Sequence, residues 1–269
     1  MVDDNPRGKD DIAVAKLKAQ KKEAKRQGFW GNARTIIEAV LIAVVIHTFL
    51  FRPFYIPSGS MKPNLLIGDY LIINKFSYGY SKHSCYFAAC PIKGRIFGTG
   101  PDRGDVAVFA NPHDGRTFVK RTIGIPGDTV QMKDGILYIN GEVAPQVAME
   151  PYAEKLSDYR TEPGCISRDD KYCYIEQSME TLPNGLEHSV FNQTDTGPAD
   201  NTELWTIPPE NYFMMGDNRD NSNDSRMDVG LVPAENFIGK ASLIVFSSSG
   251  SSILQFWKWR SGRFFQWVK

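Results

Sequence analysis

Three separated stretches of this 269-residue chain set polar groups able to do chemistry inside apolar surroundings. The first is Ile56-Pro57-Ser58-Gly59-Ser60-Met61-Lys62-Pro63. Its prolines fix φ and its glycine frees it, so the turn is stiff and sharply bent and can hold a hydroxyl away from backbone partners. The second runs from Phe118 to Asp128 and places Lys120 and Arg121 within an apolar strand. Alternation puts Phe118, Lys120 and Thr122 on one face and Val119, Arg121 and Ile123 on the other, so one of the two cations must meet a covered face. The third, Gly216 to Arg226, is a dense polar loop. Attack by a serine hydroxyl needs a base to take its proton. Lys120 and His113, the histidine nearest any of these stretches, are the groups at hand. Each stretch also has an ordinary reading: a surface Ser/Gly/Pro turn, a lysine reaching out along a strand edge, and a self-capping loop laced by ion pairs.

Composition narrows the class. Lys plus Arg equals Asp plus Glu at 31 each, so nothing points to nucleic acid or to an acidic partner. The four cysteines (Cys85, Cys90, Cys165, Cys173) and four histidines lack metal-site spacing, and no metal or cofactor is expected. A calcium loop from Asp217 to Asp228 would need a ligand where Arg219 stands and a glycine where Ser222 stands. The local cysteine pairs 85–90 and 165–173 suit disulfides in an oxidising compartment, although three connectivities remain open.

The elements that must position these groups follow from hydrophobic patterning. Residues 1–32 are polar and basic. Thr35 to Phe51 is a nearly continuous apolar run that would span roughly 25 Å as a helix. Glu38 costs about 3 kcal/mol on insertion, and eleven Leu, Ile, Val and Phe residues return on the order of 5 kcal/mol. Residues 33–51 are therefore expected to form one transmembrane anchor. Nine Lys or Arg occur up to and including Arg34, against Arg52 and Lys62 in the fifteen residues after the anchor, so the N-terminus is expected in the cytoplasm and the rest outside. No small-residue cleavage site follows the run, which argues against a removed leader. Residues 52–246 read as β, with strands over 70–76, 105–110, 116–125, 128–132, 171–177, 204–207, 212–215 and 240–246, and a hairpin turn at Asp134-Gly135. Residues 140–200 read as an inserted lobe. Ser247 to Ser252 reads as a flexible linker, and the aromatic and basic tail to residue 269 suits a membrane headgroup layer.

Taken together, the three stretches resemble the bacterial type I signal peptidases, which share a P-S-G-S-M-x-P turn, a K-R-x-x-G-x-P-G-D strand and a G-D-N-R-D-N-S-x-D-S-R loop behind an N-terminal anchor. The resemblance implies a mainly β fold: an antiparallel β catalytic core with a smaller inserted β region. It implies Ser60 as nucleophile and Lys120 as general base. Ser58 would join the Ser60 N–H as oxyanion donor, Ser222 would orient the lysine amine, and Gly216, Asp224 and Arg226 would stiffen the site. Phe54, Ile56, Met61, Leu65, Phe118 and Val119 match positions lining the substrate pockets. The substrates would be signal-peptide-bearing preproteins cut after small residues at the first and third positions before the scissile bond. The enzyme would be a monomeric, single-pass protein of the bacterial inner membrane with a periplasmic catalytic domain. Many Gram-negative relatives have two spanning segments, whereas one is found here.

A lysine base must be neutral, which at pH 7 in water costs roughly 4.6 kcal/mol. Desolvation can remove most of that, so Lys120 is expected buried and neutral. A nucleophile five to nine residues beyond the anchor would meet a chain emerging from the bilayer, and an extended substrate could add to a sheet edge. Two other classes share some of these features: a self-cleaving Ser/Lys protein, and a membrane-tethered β binding module without catalysis. The anchor speaks against the first, and the completeness of the motifs against the second.

Overall fold

The computed structural model describes residues 31–46, 49–84, 91–156 and 165–268. The chain divides into two compact units, Met1–His47 and Thr48–Lys269. In the first, residues 31–46 are helical, and Glu38 pairs with Arg34 one turn earlier at 2.7 Å. Among the described residues no helix is long and apolar enough to cross a membrane. The anchor expected over 33–51 is also shortened at its end, because Phe51 already belongs to a strand. His47, Cys85, Cys90 and the basic leader lie outside the described residues.

The second unit is built of short antiparallel strands. The serine turn lies between β1 (Phe51–Tyr55) and β2 (Asp69–Asn74), which pair with Phe51 opposite Asn74. After the small pair β3 (Tyr80–Ser81) and β4 (Arg95–Ile96), a hairpin of β5 (Val106–Ala110) and β6 (Thr117–Gly124) carries the lysine motif. Strands β7 (Thr129–Lys133), β8 (Ile136–Ile139) and β9 (Glu142–Val143) form a meander. Its first turn has Asp134 and Gly135 both at positive φ, as a two-residue hairpin requires.

The stretch read as an insert, called the inserted region below, holds β10 (Gln146–Ala148), β11 (Tyr152–Lys155), β12 (Ser167–Arg168), β13 (Tyr172–Ile175), β14 (Ser178–Thr181) and β15 (Glu187–Val190). They make two three-stranded sheets, ordered β10-β14-β15 and β11-β13-β12. A Cys165–Cys173 disulfide ties the start of β13 to the residues before β12. The chain returns through β16 (Trp205–Thr206), which pairs with β7, and continues into β17 (Asn211–Met215), β18 (Val232–Pro233), β19 (Phe237–Ser247) and β20 (Gln266–Trp267).

The main sheet runs β1-β2-β19-β5-β6-β17-β18, with β20 also paired to β19. Shifts in register along β19, at Ala241/Leu243 and Ile244/Phe246, mark bulges that bend this 11-residue strand and let it serve three neighbours. One core cluster gathers Ile56, Met61 and Leu65 from the serine turn with Leu71, Val106, Val108 and Val119 from the sheet. A second packs the β7–β8 meander against Phe213 and Met215 of β17. The serine and lysine motifs are therefore fastened to one sheet through shared apolar contacts.

The stretch read as a linker is structured. Ser247 lies within β19, and Ser247, Ser248 and Ser249 are buried. Asp69 anchors this region: its carboxylate accepts bonds from Ser247 Oγ at 2.6 Å and from Arg263 at 2.6 and 3.2 Å. These serines are spent on buried hydrogen bonds, which composition alone does not register. Asp69→Ala would leave Arg263 without its carboxylate and should cost about 3 kcal/mol in urea unfolding. An unchanged midpoint would show that the C-terminal segment is not held there.

Candidate active site

The serine turn is closed by Lys62 N donating to Gly59 O at 3.0 Å, and held to the sheet by Ile56 N donating to Asp69 O at 2.9 Å. Burial of Ile56 and Met61 fixes it from below, while Ser58 is exposed and Ser60 half-buried above. The polar loop grips the same turn: Asn218 N donates to Ser60 O at 3.1 Å and Asn218 Nδ2 to Gly59 O at 3.2 Å. The backbone of the serine is thereby fixed while its hydroxyl stays available.

Lys120 reaches that hydroxyl. Its Nζ lies 2.6 Å from Ser60 Oγ, and the residue is 4% exposed. Burial lowers its pKa from 10.5 to about 8, against the opposing pull of the Asp224 and Asp217 carboxylates and with help from Arg226. The cost of neutralising it at pH 7 falls from about 5 to about 1 kcal/mol. The amine is half neutral near pH 8 rather than fully neutral at pH 7, because two buried carboxylates offset part of the desolvation.

Both cations of β6 are buried, each with its own solution. Arg121 makes a bidentate pair with Asp217, Nε to Oδ1 and Nη2 to Oδ2 at 2.8 Å each, and donates to Gly104 O at 2.9 Å. Asn64 Nδ2, on the segment following the serine, donates to Asp217 Oδ2 at 2.8 Å. Arg226 holds Asp224 through Nε at 3.0 Å and Nη2 at 2.9 Å, and Asp224 Oδ2 accepts from Gly216 N at 2.9 Å. Burial pushes both carboxyls up, but their arginine partners hold them below the usual carboxylate range. The arginines thus compensate the two negative charges beside Lys120. With its carboxylates committed to protein donors, the 217–226 loop acts as a brace.

Gly216 has a specific reason to be glycine. A Cβ there would lie 2.2 Å from Ser222 Oγ and 2.5 Å from Ser60 O. Ser222 is therefore packed at the site, yet among the described residues its buried hydroxyl has no hydrogen-bond partner, and the lysine amine contacts Ser60 instead.

A cleft of about 400 Å³ opens over the pair. Phe54, Ile56, Ser58, Met61, Phe118 and Val119 line it. Leu65 does not; it is 1% exposed and packed in the core beneath the turn. Sequence reasoning missed Arg116, Thr117, Asn221 and Asn223, which also line the cleft. Their signal was adjacency to two motifs, visible only once the motifs faced one another. It also missed His188 and Glu180 in the inserted region. Arg219 bonds Glu180 at 2.5 Å, and burial, aided by Arg121, lowers the His188 pKa to about 4, so this imidazole is neutral at pH 7. His113 is exposed in a turn and does not line the cleft.

A family model described as "Signal peptidase, peptidase S26" matches residues 30–246. The chain belongs to this family, the serine endopeptidases that remove signal peptides from exported proteins. Among similar relatives, Signal peptidase I of Rickettsia akari is 39% identical over 240 residues, covering 86% of this chain and 83% of the relative. Signal peptidase I of Rickettsia typhi is 41% identical over 218 residues, covering 78% and 77%. A crystal structure of a signal peptidase I from Enterococcus faecalis matches 54% of this chain and 98% of that one, at 26% identity and a TM-score of 0.31.

Two outcomes follow from the site. If the neutral amine is the active form, kcat/KM should rise about tenfold per pH unit below pH 8 and level off above it. A profile flat from pH 6 to 9 would contradict that. Gly216→Ala should reduce kcat by two orders of magnitude or more, on the order of 3 kcal/mol, with the circular dichroism spectrum retained. Near-normal kcat would mean that the Ser60 and Ser222 contacts yield easily.

Proposed function

We propose that this enzyme cuts preproteins by attack of Ser60 Oγ on the scissile carbonyl, with Lys120 as general base. The observation that carries the reading is the buried Lys120 Nζ at 2.6 Å from Ser60 Oγ. In the neutral form the amine accepts the hydroxyl proton as the Oγ–C bond forms. The tetrahedral oxyanion is met by the Ser60 N–H and by the Ser58 hydroxyl, which lines the cleft. The lysine, now charged, returns its proton to the departing amine, leaving an ester on Ser60. A water that gives its proton to the Lys120 amine then attacks the ester, and the lysine returns that proton to Ser60 Oγ as the Oγ–C bond breaks. Gly216, Asp224 and Arg226 hold the loop, and Ser222 orients the amine during the cycle.

The substrate binds extended. β6 pairs with β5 from Thr117 to Arg121, whereas β17 reaches it only from Arg121 to Gly124. Thr117 to Lys120 therefore present an edge on the cleft side, to which a peptide can add as a strand. Phe54, Ile56, Met61, Phe118 and Val119 bound shallow apolar space beside the catalytic pair, which suits small side chains at the first and third positions before the cut.

The enzyme is held at the bacterial inner membrane by the apolar run beginning at Thr35, with the N-terminus in the cytoplasm and the catalytic unit in the periplasm, and it acts as a monomer. In support, Ile36, Ile37, Val40, Leu41, Ile42, Val44, Val45 and Ile46 are all exposed on the helix, and the Arg34–Glu38 pair reduces the cost of placing Glu38 near lipid. The exposed aromatic residues after Ile253 suit the headgroup layer.

A preprotein with alanine at both positions, incubated with the enzyme in neutral detergent, tests the reading. Cleavage should be lost in Ser60→Ala and Lys120→Arg and fall steeply when phenylalanine replaces the residue before the cut. Substantial turnover by Lys120→Arg would remove Lys120 as the base.

A further inference from the structure

The β14–β15 hairpin turns two titratable side chains toward the polar loop. Glu180 and His188 lie opposite one another in its register, and both are buried. Cross-strand partners share one face of a hairpin. On the facing loop stand Asp217 and Arg219, each 1% exposed. His188 Nε2 lies 3.4 Å from Glu180 Oε1 and 3.8 Å from Asp217 Oδ1, so a neutral imidazole sits beside both carboxylates. Glu180 accepts from Arg219 Nη2 at 2.5 Å through Oε1 and from Gln146 Nε2 at 3.0 Å through Oε2. Arg219 Nε and Nη1 have no hydrogen-bond partner among the described residues, so the guanidinium is anchored by its bond to Glu180. Burial pushes the Arg219 pKa down, and the carboxylates around it, Glu180 foremost, more than offset this.

Two supports of the catalytic pair meet at Arg219. The residue before it, Asn218, holds the serine turn by donating to Ser60 O at 3.1 Å and Gly59 O at 3.2 Å. The Arg219 carbonyl accepts from Arg226 Nη2 at 2.7 Å, and Arg226 is the arginine that binds Asp224. A shift of Arg219 would therefore be felt by Asn218 and by Arg226 together. Neither Glu180 nor His188 lines the substrate cleft. Apolar residues of similar volume often stabilise a protein as well as a buried ion pair does, so stability alone gives little reason for a carboxylate here. We propose that Glu180 is a positioning residue for peptide-bond cleavage: it fixes Arg219, and through Arg219 the seating of the polar loop against Ser60, without touching the substrate. The proposal rests on Ser60 being the attacking group and gives the inserted region a part in turnover.

The test uses the full-length protein in neutral detergent, with kcat and KM measured on the alanine-bearing preprotein and expressed per folded molecule from circular dichroism. Glu180→Asp keeps the charge but draws the carboxylate back by about 1.5 Å, the length of one C–C bond. A misplacement of roughly 1 Å can cost about 100-fold in rate, so kcat should fall at least ~10-fold while KM stays within about twofold. Glu180→Gln with Arg219→Met removes both charges and leaves neither buried without its partner. Its urea midpoint should lie near that of wild type, whereas its kcat should stay at least ~10-fold low, because the loop has lost its anchor. A normal kcat in Glu180→Asp, a loss carried by KM, or a double variant with wild-type kcat would each overturn the proposal. If Glu180→Asp does not fold, the double variant decides alone. Ser60→Ala, run alongside, separates the readings. Normal turnover by Glu180→Asp beside an inactive Ser60→Ala removes the positioning role only, whereas cleavage retained in Ser60→Ala would remove the nucleophile assignment and this proposal with it.

Discussion

A primary amine kept out of water beside a serine hydroxyl is the constraint to which the rest of this structure answers. Burial alone would depress the lysine further, and the Asp224 and Asp217 carboxylates pull its pKa back up. Each carboxylate is instead bound by its own arginine, Arg121 or Arg226, so the negative charge near the amine is largely compensated. The two arginines tune the lysine through these ion pairs. They also weld β6 to the polar loop, so the same contacts serve electrostatics and position. A buried ion pair is costly to form, and this one is retained where a fixed geometry between two chain segments is needed.

The inserted region takes part in the same arrangement. Phe191 N donates to Asp217 O at 2.9 Å and Arg219 N to Phe191 O at 2.8 Å, so the strand end after β15 clasps the polar loop. Arg219 reaches Glu180 of β14, and Lys62, two residues past Ser60, pairs with Glu154 of β11. The region therefore backs the serine turn and the polar loop from one side, while β5 and β6 hold Lys120 from the other. The C-terminal segment completes the enclosure through Asp69, which ties Arg263 and Ser247 to the start of β2.

Much of the fold was legible in the sequence. Strand runs such as 212–215, seen as Asn211–Met215, and the Asp134-Gly135 turn were readable because alternation and turn chemistry are local. The short strands of the inserted region were less legible, since pairs two to four residues long are held by their neighbours rather than by intrinsic preference. Ser247 to Ser249 misled for the same reason. Their composition is that of a linker, and their burial depends on Asp69, which lies about 180 residues earlier in the chain.

The chain by itself determined which residue types were present for catalysis and the order in which they came, because motif chemistry and strand periodicity are properties of consecutive residues. Only the tertiary structure decided how they meet. It set the Lys120 amine on Ser60 Oγ, buried Leu65 in the core beneath the turn, and brought Glu180 and His188 beside the polar loop. The physical reason is that burial and charge pairing are set by segments far apart in sequence, whose approach no local pattern encodes.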